Sequence, residues 1–400
     1  MSAVRRLARG QVVLHGPGSV EPVAVASDRP GPSVHVELHD ARAARALLLR
    51  GSEGMAESYI AGWWDTDDLT GLIRLLIDRL RGPMGLLDDV ARRAARPLAW
   101  ARRARRPSPA ADRRNVAAHY DLPGQLFEVM LDESMSYSCA VFEPPGVTLA
   151  QAQRIKLDRL CDKLALGPDD HLVEIGTGWG GLAIHAATRT GCRVTTTTLS
   201  EAQLEVATRR VHEAGLADRV TVLGRDYREL EGTYDKLVSV EMIEAVDWRL
   251  YPTFFATCRR LLAPDGVMAL QAITIADRSF ERATLHEDFA RAMVFPGGCL
   301  PSLTALLGAV TDATDLVLVD LEDIGRHYPT TLARWWENVD ARWDRLATAG
   351  FDEEFRRLWH FYLAYCEAAF LERRISDVQM VLAGPRWRPD GPGGPIRRDR

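Results

Sequence analysis

The segment EIGTGWGG, Glu174 to Gly181, stands between a β-rich run, His171–Ile175, and a helical one, Leu182–Thr188. Glycine lets a backbone turn sharply and come close to a ligand, because no Cβ intervenes. Gly176, Gly178 and Gly181 satisfy G-x-G-x-x-G, the spacing of dinucleotide sites. That chemistry needs an acidic residue about 20 positions on, to hold a ribose hydroxyl. The stretch there is Thr195-Thr196-Thr197-Thr198-Leu199-Ser200, without an acid, which disfavours a nicotinamide cofactor. S-adenosylmethionine suits the same loop, since it has no pyrophosphate to cradle. Gly176, Gly178 and Gly180 give close approach, and Glu174 can attract the amino or sulfonium side. Thr198 and Gln203 offer neutral hydrogen bonds to a ribose, and Asp226-Tyr227 follows the third strand, where an adenine belongs. The plain alternative is a set of structural glycines in a tight turn.

On either side of the loop, short β-rich runs recur at Arg193–Leu199, Val220–Leu223, Lys236–Val240 and Gly266–Ile275, with helical patterns at Glu201–Ala214 and Trp248–Leu262. Such alternation calls for a parallel sheet with helices on both faces. A strand-like run at Leu316–Leu321 and helices through Leu332–Leu371 follow. Toward the N-terminus, Gln11–Leu14 and Ser33–Leu38 alternate like strands, and Glu57–Leu80 reads as helix broken at Gly62-Trp63-Trp64. The layout expected is a small accessory domain over 1–80, a basic linker over 81–115, a catalytic domain over 116–383 and a disordered tail over 384–400. In the linker Arg92, Arg93, Arg96, Arg102, Arg103, Arg105, Arg106, Arg113 and Arg114 face one acid, Asp112, and interleave with Leu98 and Trp100. It reads either as a solvated connector or as a surface helix on an anionic membrane, each arginine worth ~1 kcal/mol near the headgroups. A net charge of −5 gives no general attraction to nucleic acid. Six scattered cysteines without a C-x-x-C pair read as reduced thiols of a cytoplasmic protein. The chain shows no apolar run of the ~18 residues a spanning helix needs, and its basic start lacks a continuous apolar core, so it reads as a poor signal peptide.

A longer series of motifs is more specific than the loop. HYDLPGQLFEVMLDESMSYSCAVFE (His119–Glu143), QAQRIKLDRLCDKL, EIGTGWGG, LSEAQ, DYREL, VSVEMIEAV, FPGGCLPS (Phe295–Ser302) and GFDEEFRRLWHFYLAYCEAAF (Gly350–Phe370) occur in this order. Together they resemble the cyclopropane-fatty-acyl-phospholipid synthases, including mycolic acid cyclopropane synthases, over most of residues 115–383. The resemblance implies a Rossmann-like class I methyltransferase: a mostly parallel seven-stranded sheet with helices on both faces, plus a smaller N-terminal α+β domain. It implies that Tyr137 and Ser138 join the cofactor site, with His119 and Tyr120 as further wall candidates. It also implies a bound bicarbonate base, held by Cys139, Glu244, Gln271, the backbone at Ile273, and Tyr362.

Two departures stand out. Many members read L-H-T-I where this chain has Leu270-Gln271-Ala272-Ile273, and G-M-F-E-H-V where it has EMIEAV, so Glu241 replaces Gly and Ala245 replaces His. Both look like a sub-branch of plant cyclopropane synthases and actinobacterial enzymes that make mid-chain methylene or methyl branches. Glutamine donates a hydrogen bond but relays no proton near neutral pH, which puts the proton-removal step in question.

The implied reaction is methyl addition to the cis double bond of an acyl chain in a phospholipid, giving a cyclopropane or a methylene that a separate reductase can saturate. Alkenes are weak nucleophiles, so placement must supply much of the rate, up to ~7–11 kcal/mol. The resemblance also implies a homodimer, and the basic segment 81–115 points to a peripheral position at the inner face of the cell membrane. The competing readings are a methyltransferase for a soluble small molecule and a non-catalytic lipid-binding protein of the same fold. Without the resemblance, Cys139 and Tyr362 read as core, and Glu241 and Glu244 as helix-start acids.

Overall fold

The computed structural model describes residues 10–16, 22–27, 30–79, 124–285 and 289–388. The basic segment 81–115 and the candidates His119 and Tyr120 lie outside them. In chain order the elements begin with β1 (Gln11–His15), β2 (Val23–Ala26), β3 (Ser33–Leu38), α1 (Arg42–Ile60), β4 (Trp64–Thr66) and α2 (Leu69–Arg79). There follow α3 (Gly124–Met130), α4 (Leu149–Lys163), β5 (His171–Ile175), α5 (Gly181–Thr190), β6 (Arg193–Thr197), α6 (Glu201–Glu213), β7 (Val220–Leu223) and β8 (Tyr234–Val240). Then come α7 (Tyr251–Leu261), β9 (Leu262–Ile275), α8 (Asp277–Leu285), α9 (Phe289–Met293), α10 (Leu303–Ala313) and β10 (Val317–Asp323). The last are α11 (Tyr328–Ala341), α12 (Trp343–Thr348), α13 (Glu353–Leu371) and β11 (Ile375–Ala383).

Packing divides these elements into two units that cut across the linear layout. In the first, β1 to α2 join residues 289–294 and Leu332–Arg374. Its sheet runs β2-β1-β3-β4. Helix α13 lies against α1 and α2 through long-range polar contacts: Tyr59 OH meets His360 Nδ1 at 2.9 Å, and Arg74 Nε donates to Glu372 Oε1 at 2.9 Å. The helices Leu332–Leu371 thus complete the N-terminal unit, a partnership between positions about 300 apart that composition cannot reveal.

The second unit holds the seven-stranded sheet, ordered β10-β11-β9-β8-β5-β6-β7. Strands β9, β8, β5, β6 and β7 are parallel, and β11 and β10 pair antiparallel at one side. Side chains alternate across the sheet, as a strand's period of two requires. Leu237, Met268 and Leu270 meet Phe254 and Phe255 of α7 and Leu306 of α10, while Leu172, Val238 and Ala269 meet α4 and α5. Strand order reverses between β5 and β8, and such a switch point opens a crevice at the C-terminal strand ends. Residues Gly384–Arg388 of the expected tail continue from β11 as ordered chain: Gly384 N donates to Gly266 O at 2.9 Å, and Trp387 packs on the core. Among the described residues no helix is long and apolar enough to cross a membrane.

Candidate active site

The crevice is a cavity whose wall includes Tyr137, Ser138, Lys156, Glu174, Gly176, Gly178, Thr198, Gln203, Asp226, Tyr227 and Glu241. Nine of the ten cofactor residues expected from the sequence therefore share one space. Gly180 does not line it; as the left-handed residue before α5, it turns its α-carbon toward Ala207, which an added Cβ would approach to 3.2 Å. The loop's tightness is visible at Gly181, where a Cβ would fall 2.2 Å from the Ser134 carbonyl oxygen. Gly176 has φ +101°, and a Cβ there would press on Met242 at 3.1 Å.

The polar groups at this wall fit a cationic nucleoside ligand. Glu174, next to last in β5, is almost fully buried, and its Oε2 lacks a hydrogen-bond partner. Burial pushes its carboxyl up to about 8, so a cation beside it restores the ionised form. Thr198 Oγ1 donates to Gln203 Oε1 at 2.8 Å, leaving the buried Gln203 Nε2 unpartnered. Asp226 is held by Arg228, through Nη2 at 2.6 Å and Nε at 2.9 Å, so its carboxylate is already engaged. Tyr227 stacks edge-on against Phe254. Ser138 Oγ accepts from the buried Lys156 Nζ at 2.7 Å.

Deeper in, the groups expected to hold an anion are brought together, but around the chain's own carboxylates. Glu241 Oε1 accepts from Cys139 N at 2.8 Å and from Gln271 Nε2 at 2.8 Å, and Oε2 accepts from Tyr328 OH at 2.5 Å. Gln271 Nε2 also donates to Asp377 Oδ2 at 2.9 Å, and its Oε1 accepts from Gln379 Nε2 at 3.0 Å. The backbone N–H of Ile273 goes to Glu244 Oε1 at 2.5 Å. Antiparallel pairing of β11 with β9 delivers the new partners, setting Gln379 opposite Gln271 and Asp377 opposite Ile273.

Every donor assigned to bicarbonate in this unit is thus already used. A further anion would also meet the half-buried Glu241 and Glu244 and the buried Asp377. Bicarbonate does not fit this site as the residues stand. The phenol in the cluster is Tyr328, which the sequence reading missed in favour of Tyr362. Tyr362 lies on α13 in the first unit, its ring 5.1 Å from Trp359. Cys139 takes part through its amide; burial and the nearby Asp377 and Glu241 raise its thiol well above the ordinary range, so it is no nucleophile.

Glu241 has φ +48°, left-handed for a residue with a side chain. Such a conformation costs ~1–3 kcal/mol and persists where surroundings impose it. Here Glu241 N donates to Gln271 O at 2.8 Å, and the three side-chain bonds complete the hold. Burial raises Glu244 to about 8, with the neighbouring Glu241 charge adding to it, and Glu244 Oε2 has no partner. Tyr328, Asp377 and Gln379 are members no motif had pointed to, and Lys156, inside the QAQRIKLDRLCDKL motif, had been given no role. A lysine buried on α4 is itself a signal, because charge is rarely enclosed without a partner.

With this geometry established, residues 108–380 match the family described as mycolic acid cyclopropane synthetase. The chain belongs to that family. Within it, the chain is 41% identical over 369 residues to tuberculostearic acid methyltransferase UfaA1 of Mycobacterium tuberculosis, covering 89% of this chain and 84% of the relative. It is 34% identical over 344 residues to cyclopropane-fatty-acyl-phospholipid synthase of Escherichia coli K12, covering 85% of each. Among solved structures, the mycolic acid cyclopropane synthase CmaA1 complexed with SAH and CTAB superposes with a TM-score of 0.63 at 28% identity, over 68% of this chain and 98% of that one. The family member described here is an S-adenosylmethionine-dependent methyltransferase with the expected Rossmann-like, mostly parallel seven-stranded sheet.

Proposed function

We propose that the enzyme methylates the cis double bond of an unsaturated acyl chain carried by a phospholipid, giving a methylene-bearing chain, precursor of a mid-chain 10-methyl branch, or a cyclopropane. The observation that carries this reading is one cavity wall holding both a buried carboxylate with an unpartnered oxygen for a cation, Glu174, and a second, half-buried carboxylate, Glu241. Likeness to a tuberculostearic acid methyltransferase and to a cyclopropane-fatty-acyl-phospholipid synthase supports the acyl substrate.

S-adenosylmethionine, when bound, supplies an electrophilic methyl group on a sulfonium. Glu174 would hold the cationic side, Thr198 and Gln203 the ribose, and the glycine loop lets the backbone close on the ligand. Burial of these groups excludes water, which protects a cationic acyl chain from capture. Negative charge at Glu241, held by three donors, faces the same space and stabilises positive charge there. Basic residues of segment 81–115 would attract the enzyme to the anionic inner face of the cell membrane.

The test is expression in cells rich in monounsaturated lipid, followed by mass spectrometry of the extracted acyl chains. A gain of one CH2 on unsaturated chains is expected, and ozonolysis separates methylene from ring. Recovery of only unaltered monounsaturated chains, with the enzyme soluble and binding cofactor, would reject the proposal.

A further inference from the structure

We infer that Glu241 is the enzyme's own base, a carboxylate built into the chain where the resemblance calls for a bound bicarbonate. The inference rests on the acyl-methylating activity proposed above and names the group that completes it.

Three observations converge. The Cys139 amide and the Gln271 side chain, both expected to hold an external anion, donate to Glu241 instead, and Tyr328 adds a third donor. Glu241 also lines the cofactor cavity, so its carboxylate borders the space where the reaction must occur. Its backbone is left-handed at a position where the family pattern carries glycine, so a side chain has been placed where the fold itself asks for none.

The charges around it suit the role. Lys156 from α4 faces it, its ammonium pushed down by burial and held up by Glu241; Asp377 from β11, Glu244 beyond β8, the Cys139 thiol and the Tyr328 phenol complete the titratable surroundings. Burial and the Glu241 charge hold Asp377 well above the carboxylate range, so it stays protonated. Glu241 is the acceptor in its bonds from the Cys139 amide, Gln271 and Tyr328, the pattern of an ionised partner. Burial raises its carboxyl while Tyr328, the Cys139 amide, Lys156 and Gln271 hold it down. A general base works best when its pKa is raised toward the operating pH, the direction in which burial moves this carboxyl.

The electron count closes. The alkene π pair bonds the methyl carbon as the C–S pair stays on sulfur, leaving the adjacent chain carbon cationic. Glu241 takes a proton from the new methyl, and the released C–H pair closes the three-membered ring. After a hydride shift along the chain, removal of the same proton forms the exocyclic C=C. In either case Glu241 ends as the neutral acid and passes its proton to solvent between turnovers.

The test compares wild type, Glu241→Gln and Glu241→Gly in degassed buffer freed of bicarbonate, with cofactor binding measured alongside turnover. Wild type should keep its rate when bicarbonate is stripped and show no calorimetric uptake of bicarbonate. E241Q should bind cofactor normally yet lose about 100-fold or more in turnover, the usual worth of a positioned base. E241G should be as slow in stripped buffer, bind bicarbonate by calorimetry and recover about tenfold or more when bicarbonate is added. An active wild type that fails without bicarbonate overturns the inference, as does an E241Q enzyme of near-normal rate. A wild type that methylates no lipid alkene under any condition instead sinks the proposed function.

Discussion

Two glutamates, Glu174 and Glu241, sit on one cavity wall with opposite tasks, and their hydrogen bonds tell them apart. Glu241 has three donors. Glu174 has an unpartnered oxygen, and burial raises its carboxyl to about 8. In the free enzyme Glu174 is therefore mostly protonated at neutral pH, and a cationic ligand must drive its ionisation. Cofactor affinity should rise between pH 6 and 7.5, by at most about tenfold per unit, as the proton to be displaced becomes easier to lose. Calorimetry in buffers of different ionisation enthalpy should show a proton released on binding. Glu174→Gln should bind about tenfold or more weakly, with a flat pH dependence; a wild-type affinity independent of pH over that range would contradict the assignment. At this scale much of the site was legible: Glu174, Thr198 and Gln203 follow from the strand–loop–helix order alone. Glu241 was visible only as a departure from a pattern. Tyr328 and Asp377 were not visible, because neither sits in a motif and each is brought in from far along the chain.

Among the elements, the glycine loop and α5 depend on a contact with the segment before Cys139. Gly181 starts the helix where any Cβ would meet the Ser134 carbonyl oxygen at 2.2 Å, and Arg210 Nη1 donates to Trp179 O at 2.6 Å to close the same corner. A backbone oxygen cannot swing aside as a side chain can. Gly181→Ala should therefore shift the loop, destabilise the protein by ~1–3 kcal/mol in denaturant melts and weaken cofactor binding about tenfold or more. Unchanged binding in the variant would show that the corner yields freely. The strands of the parallel sheet were readable because β-branched runs separated by helical patterns admit few other arrangements. Strand β11 was not. Its sequence ISDVQMVLA carries Asp377 and Gln379 toward the buried cluster, so polar residues stand where a core strand is expected to be apolar. Strands β2 and β4, four and three residues long, are too short for alternation to register.

For the whole molecule, the raised carboxyls make stability depend on pH. Glu174 and Glu244 both rise from 4.5 to about 8 in the folded chain, and Asp377 rises well above its ordinary value. A raised acid favours folding fully below its unfolded pKa, and that contribution fades as pH climbs through the folded one. The ligand-free melting temperature should thus fall between pH 6 and 8.5. S-adenosylmethionine at a fixed concentration about 100 times its Kd at neutral pH should add ~2.7 kcal/mol there, and its protection should grow toward alkaline pH, where Glu174 is ionised. Scanning calorimetry across that range, with and without ligand, checks both; a flat melting curve would mean water reaches these carboxyls. The division into two units was the least legible feature, since no local pattern reveals that α13 completes the unit of α1 and α2.

The left-handed turn at Glu241 bears on how such enzymes diversify. A backbone already shaped for glycine tolerates the exchange of the two residues without being rebuilt, and one nucleotide separates their codons. A lineage can therefore pass in a single mutation between carrying its proton acceptor in the gene and borrowing it from dissolved carbon dioxide. In the glutamate form, lipid tailoring is uncoupled from the carbon dioxide supply of the cell.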